Sequence, residues 1–493
     1  MSTLGKLQNG TDIRGIALEI EDFKVNLTKS AVYDIAVGFS KWLYKKYGQD
    51  ISIAVGKDSR LTGDMLKESV INGITDMGVN AIDCRMATTP AMFMSTIIDG
   101  YKMNGAIMLT ASHMPMQYNG MKFFTRDGGL EKEDLKEVLA LATEIDGEYK
   151  KGTVEVKDLI TDYSNILVSK IRQATDSKKP LDGLKIIVDA GNGAGGFFAS
   201  EVLEELGANT KGSQFLEPDG RFPNHIPNPE NKEAMKSISD AVLKSSADLG
   251  IIFDTDVDRA AVVDKDGREI NKNALIALIS TIILEETKGT SVVTDSITSE
   301  GLKEFIEALG GKHHRFKRGY KNVINESKRL NEEGIESALA IETSGHAALK
   351  ENYFLDDGAY LVAKILIKLA KLNKEGKELS SIMEGFKESI EEEEFRLNIN
   401  EEDFRTYGNT ILEKFKVKAE NSEDLIIAKP NYEGLKVYLK GTKSWFLIRL
   451  SLHEPILVIN LEGDKVGMKS KITTLLKELL NEFSSLSLRV LEN

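Results

Sequence analysis

Three carboxylates at alternate positions, Asp254, Asp256 and Asp258, followed by Arg259, stand between the apolar runs LGIIF and AAVV. In an extended segment, side chains two apart share one side. Carboxylates crowded there repel: a pair about 4 Å apart costs about 4 kcal/mol at an effective dielectric of about 20. A hard cation offsets that repulsion, and Mg²⁺ takes oxygen ligands while leaving positions for phosphate or water. A solvated acidic turn is the alternative. An EF-hand loop fits poorly, because its sixth and twelfth positions would be Arg259 and Lys265 instead of Gly and Glu.

A second segment, TASHMPMQYNGMKFF, runs from Thr110 to Phe124. It follows an apolar strand, beyond whose C-terminal end α/β sheets bind ligands. Ser112, flanked by His113 and followed by Lys122, could attack or carry a phosphoryl group if charge were stabilised around it. A plain polar loop is the other reading. In ETSGH, Glu342 and Ser344 are two apart after SALAI and could hold sugar hydroxyls, with a helix cap at Ser344 as the lesser alternative. RGYK places Arg318, Gly319, Tyr320 and Lys321 together. In RLSLHEP, Arg449 and Ser451 offer a guanidinium and a hydroxyl on one strand face, which suits bidentate phosphate binding or a merely exposed face. Gly191, Gly193 and Gly196 satisfy G-x-G-x-x-G. A tight strand-to-helix turn is the better reading, since nothing else suits a nicotinamide or flavin.

Elements that could position these groups are legible as alternating patterns. ISIAVGKD, AIDCRMATTP and GAIMLTASH read as buried strands, with the helical pattern DMLKESVINGITDMG between the first two. The pattern restarts at LKIIVDAGNGAGG, with a helix through FFASEVLEELG, and again at TSVVTDS. Strand, helix, strand at this spacing predicts parallel βαβ units. LKVYLKG, SWFLIRLSL and PILVINLEG read as antiparallel strands, closed by the amphipathic helix KITTLLKELLNEFSSL. The expectation is α/β: three similar domains with mixed sheets over 1–160, 161–268 and 269–385, then a smaller α+β domain over 386–493, around a central cleft. The EEEE run at 391–394 reads as a solvated linker.

The chain has 493 residues, too many for one core, with 41% hydrophobic and 29% charged residues. Its net charge of −13 gives no general attraction to nucleic acid or anionic membrane, so neither is expected as a partner. Positive charge for an anionic ligand must be gathered locally. Cys84 is the one cysteine, which excludes an intrachain disulfide. With no signal-peptide core and no run of 18 apolar residues, a cytoplasmic location is expected.

Together, in order and over the whole chain, the segments resemble the α-D-phosphohexomutase superfamily of phosphoglucomutase, phosphomannomutase and phosphoglucosamine mutase. TASHMPMQYNGMK looks like its phosphoserine loop, DTDVDR its magnesium loop, RGYK and ETSGH its sugar-recognition segments, and RLSLHEP its phosphate loop; GTDIRG, VGKDSRLTG and DGRFPNHIPNPEN also match. The family phosphate loop often has a small, flexible middle, where this chain carries Leu452 and His453.

The resemblance implies an isomerase that interconverts hexose 1-phosphate and hexose 6-phosphate, of mannose or glucose. The route runs through phosphoserine 112 and a hexose 1,6-bisphosphate, which also serves as activator. It implies Mg²⁺ on Asp254, Asp256, Asp258 and Ser112, with Arg259 at the reacting phosphate. Glu342 and Ser344 would hold the sugar, assisted by Gly319 and Lys321. Arg449, Ser451 and His453 would hold the other phosphate. Arg14, Lys122 and His346 fall at positions for acid–base work or charge stabilisation. Arg14, Arg60, Lys122, Arg259, Lys321 and Arg449 would line one cleft. A phosphoglucosamine mutase, a noncatalytic sugar-phosphate or metal-binding protein, and a phosphatase using DTDVD are the alternatives. Monomer and dimer are both open.

Overall fold

The computed structural model describes residues 4–20, 23–48, 50–451 and 454–491. It forms two compact units, Met1–Leu275 with Ser344–Ile382, and Ile276–Thr343 with Met383–Asn493.

The larger sheet of the first unit runs Gln8–Asn9, Asp12–Ile16, Tyr118–Thr125, Gly105–Leu109, Ser52–Lys57, Asn80–Met86, Val154–Val156, with Gly128–Gly129 paired to Tyr118–Thr125. Ser52–Lys57 lies parallel to both Asn80–Met86 and Gly105–Leu109. Tyr118–Thr125 returns antiparallel to Gly105–Leu109. All five residues of GAIML are buried, so the strand reads as an unbroken apolar run without alternation. Helix Lys29–Tyr47 starts where Thr28 accepts the Ala31 N–H. It turns Val32, Ile35, Phe39 and Leu43 into the core beside Ile53, Val55 and Phe123. The expected helix Gly63–Asp76 covers Val70 and Ile74 in that core.

A second sheet orders Glu269–Ile270, Ala260–Asp264, Leu249–Phe253 and Ile186–Asp189. Leu249–Phe253 is parallel to Ile186–Asp189 and antiparallel to Ala260–Asp264. The segment 254–259 therefore joins two antiparallel strands and is not extended, contrary to the sequence reading. Val257 adopts φ +66°, a conformation that a β-branched residue adopts only under strain. The helix expected through FFASEVLEELG is a short π-helical stretch, Phe198–Leu203. Ala347–Leu349 and Leu355–Asp356 form a hairpin ahead of helix Gly358–Lys374, whose N-cap is Asp357.

In the second unit, Ser291–Thr294 pairs in parallel with Lys312–Arg315 and Ser337–Ile341. A five-stranded antiparallel sheet follows, ordered Glu391–Asn398, Ile456–Gly463, Trp445–Leu450, Leu435–Leu439, Leu425–Ile427. Phe446, Ile448 and Val437 on one face meet Ile411 and Phe415 of helix Phe404–Glu420 and Ile472 and Leu476 of helix Met468–Leu480. The acidic run 391–394 is not a linker: it opens the first strand of this sheet. Its charges are absorbed locally. Glu391 accepts the N–H groups of Gly467 and Lys469 at a helix start, and Glu393 pairs with Lys469 at 2.5 Å. Among the described residues, no helix is long and apolar enough to cross a membrane.

Candidate active site

In the first unit, the turn after Leu249–Phe253 is shaped by its own backbone. The Asp254 N–H donates to Arg259 O at 3.2 Å, and Asp254 Oδ1 accepts the Arg259 N–H at 3.2 Å. Neighbouring segments clamp it from outside: Thr89 N donates to Asp256 O at 2.9 Å, Ala194 N to Thr255 O at 2.8 Å, and Gly358 N to Val257 O at 3.1 Å. The glycine motif finds its purpose here. A Cβ on Gly193 would lie 2.7 Å from Thr255 O, so its missing side chain lets the turn approach. That agrees with a structural role for the motif.

Carboxylate oxygens of Asp254, Asp256 and Asp258 all lie within 4.8 Å of one another, and all three residues are buried. Lys122, on Tyr118–Thr125, places Nζ 2.9 Å from Asp256 Oδ2 and 2.5 Å from Asp258 Oδ2. Thr89 Oγ1 donates to Asp256 Oδ2 at 2.5 Å. Burial, then Asp258 and Asp256, push the Asp254 carboxyl well above the usual range. Against the same burial, Lys122, His346 and Arg259 hold Asp258 well below it. Asp256 Oδ1 and Asp258 Oδ1 are buried without a hydrogen-bond partner among the described residues. Orphaned buried carboxylate oxygens are costly. A clustered oxygen set of this kind fits a hard divalent cation such as Mg²⁺.

Ser112 borders this cluster at Asp254. Its Oγ donates to Asp254 Oδ2 at 3.0 Å, accepts from Arg259 Nη2 at 3.0 Å, and lies 3.3 Å from His113 Nδ1. Its φ is +50°, a conformation that costs a non-glycine residue about 1–3 kcal/mol and persists only where surroundings enforce it. Arg60 supplies the enforcement. One guanidinium nitrogen donates to Pro115 O at 3.0 Å and Tyr118 O at 2.8 Å, the other to Met114 O at 2.6 Å and to Ser112 O. Arg60, expected to line a cleft, is instead buried beneath the loop with Asp58 as its counter-ion at 3.3 Å.

Arg259 reaches Asp254 at 3.1 Å, Asn228 Oδ1 at 3.1 Å and His113 Nδ1 at 2.5 Å. His113 thus accepts, and burial followed by Arg259 and Arg14 pushes it down to about 3, keeping it neutral. His346 forms an isolated antiparallel bridge with Arg259 and bonds through Nδ1 to Asp356. Burial opposes its charge, but Asp356 and Asp258 overcome this and raise it to about 9. Arg14 pairs with Asp12 at 3.1 Å and reaches Ala111 O at 3.5 Å. Ser344 Oγ is buried without a hydrogen-bond partner among the described residues. It precedes a strand and caps no helix.

The second unit holds the remaining candidates. Gly319, at φ +111°, donates its N–H to Glu342 Oε1 at 2.6 Å, just before helix Tyr320–Glu332. Lys321 lies in that helix's first turn, half-buried. Arg449 is the penultimate residue of strand Trp445–Leu450, with Nε 3.9 Å from Glu433 Oε1. Glu433 also accepts from Arg318 N at 3.0 Å and Ser296 Oγ at 2.6 Å. Ser451 follows the strand, and its Oγ accepts the Glu454 N–H at 3.3 Å. His453, with Leu452, lies outside the described residues.

Several partners escaped the sequence reading. Asp356, in FLDDG, carried no motif signal. Thr89 is distant in sequence from the turn it clamps. Asn228 lies inside DGRFPNHIPNPEN, which matched as a segment without an assigned role, and Arg60 was expected at the cleft and not as the holder of the serine loop.

Models of phosphoglucomutase/phosphomannomutase α/β/α domains I, II and III match residues 5–148, 161–267 and 271–389. A phosphoglucomutase of Neisseria gonorrhoeae is 30% identical over 475 residues, 95% of each chain. A phosphomannomutase/phosphoglucomutase of Pseudomonas putida is 31% identical over 417 residues, 84% of this chain and 83% of its own. A crystal structure of a phosphoglucomutase/phosphomannomutase family protein from Burkholderia thailandensis superposes with a TM-score of 0.80 at 25% identity, covering 98% of both chains. A buried serine gripped by an arginine beside three aspartates, with this likeness along nearly the whole chain, makes the protein a member of the phosphoglucomutase/phosphomannomutase family, an isomerase acting on phosphohexoses.

Proposed function

We propose that this chain interconverts the 1-phosphate and 6-phosphate of mannose or glucose through phosphoserine 112 and a hexose 1,6-bisphosphate. The observation that carries the reading is the placement of Ser112 Oγ, 3.0 Å from both Asp254 Oδ2 and Arg259 Nη2. A hydroxyl beside a carboxylate and a guanidinium suits a phosphoryl carrier, because phosphoryl transfer is mostly positioning and charge stabilisation.

In the first half-reaction the P–O bond to Ser112 breaks and one to a sugar hydroxyl oxygen forms; in the second, the P–O bond at the other end of the bisphosphate breaks and the one to Ser112 forms again. In each half the attacking hydroxyl loses its proton and the departing oxygen gains one, sugar and Ser112 exchanging these roles. Arg259, locked between Asp254 and Asn228, lies against the transferred oxygens. Lys122 and His346 are the groups for the two proton movements, and His346 is held protonated by Asp356. Arg14 adds charge beside the loop. Asp254, Asp256, Asp258 and the phosphoserine would hold Mg²⁺, which would neutralise charge on the phosphoryl oxygens. Glu342, Ser344, Gly319 and Lys321 take the sugar; Arg449, Ser451 and His453 take the phosphate that is not reacting. A hexose bisphosphate charges Ser112 and so acts as activator.

The test is incubation with glucose, mannose and glucosamine 1-phosphates, Mg²⁺ and trace bisphosphate. The proposal expects 6-phosphates of glucose or mannose to accumulate. Release of free phosphate would make the chain a phosphatase, and no change would leave it a binding protein.

A further inference from the structure

Within the second unit, a cavity of about 240 Å³ opens beside strand Lys312–Arg315 and the loop 428–433. Its floor is the face of the antiparallel sheet opposite the helices. Strand register places Lys436 beside Leu447, and Tyr438 beside Trp445, on that face. The cavity is lined by Lys436, Arg315, His313, Lys303, Lys429 and Tyr432, among others. Glu433 is its acidic member, and it is engaged by Ser296 and Arg318.

Lys436 is the unusual group. It is 6% exposed, and its Nζ lies 3.6 Å from the centre of the Trp445 ring. Ser296 O, at 3.2 Å, accepts one of its N–H bonds. Among the described residues no carboxylate lies within ion-pair distance of it. An ammonium has three donors, and the Glu300, Glu462 and Asp295 carboxylates that act on Lys436 do so from beyond ion-pair distance. Burial, then Arg315, push Lys436 well below its ordinary range. Arg315 is matched by Glu300 at 2.7 Å and does not need the cavity. His313 Nδ1, also buried, has no hydrogen-bond partner among the described residues. At the mouth, Tyr432 is 44% exposed and its ring lies 4.8 Å from that of Phe316.

We infer that this cavity is a binding site for a small phosphate-bearing metabolite, its anion on Lys436 and His313 and its body against Tyr432. Lys303 and Lys429 draw the anion in. Such an anion gives the Lys436 ammonium an ion-pair partner in direct contact, which the more distant carboxylates do not. The inference uses no part of the proposed catalytic cycle.

Trp445 makes the test direct, because the chain has two tryptophans. Protein labelled with fluorotryptophan is titrated with inorganic phosphate or adenosine monophosphate and read by fluorine NMR, with Trp42→Phe assigning the signals. The expected result is a saturable shift of the Trp445 signal with a still Trp42 signal. Lys436→Met should abolish it, and the surface pair Lys303→Ala/Lys429→Ala should weaken it about tenfold, about 1.4 kcal/mol. Arg449→Ala should leave it intact. A Trp445 signal that never moves, or a shift that survives in Lys436→Met, overturns the site. Loss in Arg449→Ala alone assigns the shift to that arginine and overturns it too. Phosphate binding as tightly as the nucleotide overturns the role of Tyr432 and the metabolite.

Discussion

Replacing Lys122 by methionine removes a buried ammonium 2.9 Å from Asp256 and 2.5 Å from Asp258 while keeping most of the side-chain volume. Three carboxylates then face Arg259 and His346 with one positive charge fewer. Breaking a buried pair from one side costs about 3–5 kcal/mol. Protonating an ordinary aspartate at neutral pH costs about 4 kcal/mol, which is an upper bound on the escape route because Asp254 is already held above the usual range. Cys84 reports the loss. It is the chain's one cysteine, it is buried, and burial followed by Asp83 pushes its thiol up to about 12. A thiol reagent therefore reaches it only through opening. Its strand, Asn80–Met86, is closely followed by Thr89, which holds Asp256, so the opening that frees Cys84 disturbs the acidic turn. In metal-free Lys122→Met, labelling should accelerate about 10²- to 10⁴-fold. Mg²⁺ should slow it by a larger factor than in the unmodified protein, because the cation replaces the missing charge. Labelling within about twofold of the parent, or an equal Mg²⁺ response in both, would refute the charge-balance argument.

Further expectations follow from the same geometry. Gly193→Ala puts a Cβ 2.7 Å from Thr255 O, so the acidic turn must move; calorimetry should show weaker Mg²⁺ binding and a lowered melting temperature. His346 is held up at about 9 against an ordinary 6.5. The metal-free protein therefore gains stability from it below about pH 6.5 and loses it as pH rises through about 9, by about 3 kcal/mol in all. Denaturation of His346→Phe should lack that alkaline loss; an unchanged profile would contradict the His346–Asp356 assignment. Arg449→Ala should raise KM for the hexose phosphate more than it slows phosphorylation of Ser112 by bisphosphate, and equal losses would mean that the clamp lies elsewhere. Arg60→Lys keeps a cation but cannot reach four carbonyls; kcat should fall by about 10² or more with KM little changed, and a normal kcat would deny Arg60 its hold on Ser112.

Much of this site was legible because its parts are local. Asp254, Asp256, Asp258 and Arg259 occupy one turn, and Ser112 follows one buried strand. The glycine triplet read as structural because no companion motif supported a dinucleotide, and Gly193 proves to make room for the acidic turn. What failed depends on distant neighbours. The spacing of the aspartates suggested an extended segment, but antiparallel pairing of the flanking strands forces a turn with Val257 at positive φ. Four glutamates in a row read as solvated, yet an edge strand beside a helix start gives Glu391 backbone donors and Glu393 a lysine. The Asp356 grip on His346 and the Arg60 grip on the serine loop join residues 10 and more than 50 positions apart, and no local pattern encodes them.

The proposed function stands on Ser112 as the carrier of the phosphoryl group. Its most direct test is exposure to hexose 1,6-bisphosphate labelled with radioactive phosphorus, followed by peptide mapping. One labelled group is expected, on Ser112, chased off by unlabelled hexose 1-phosphate, with no labelling of Ser112→Ala. Label on another residue, or turnover by Ser112→Ala at the parent rate, would contradict it.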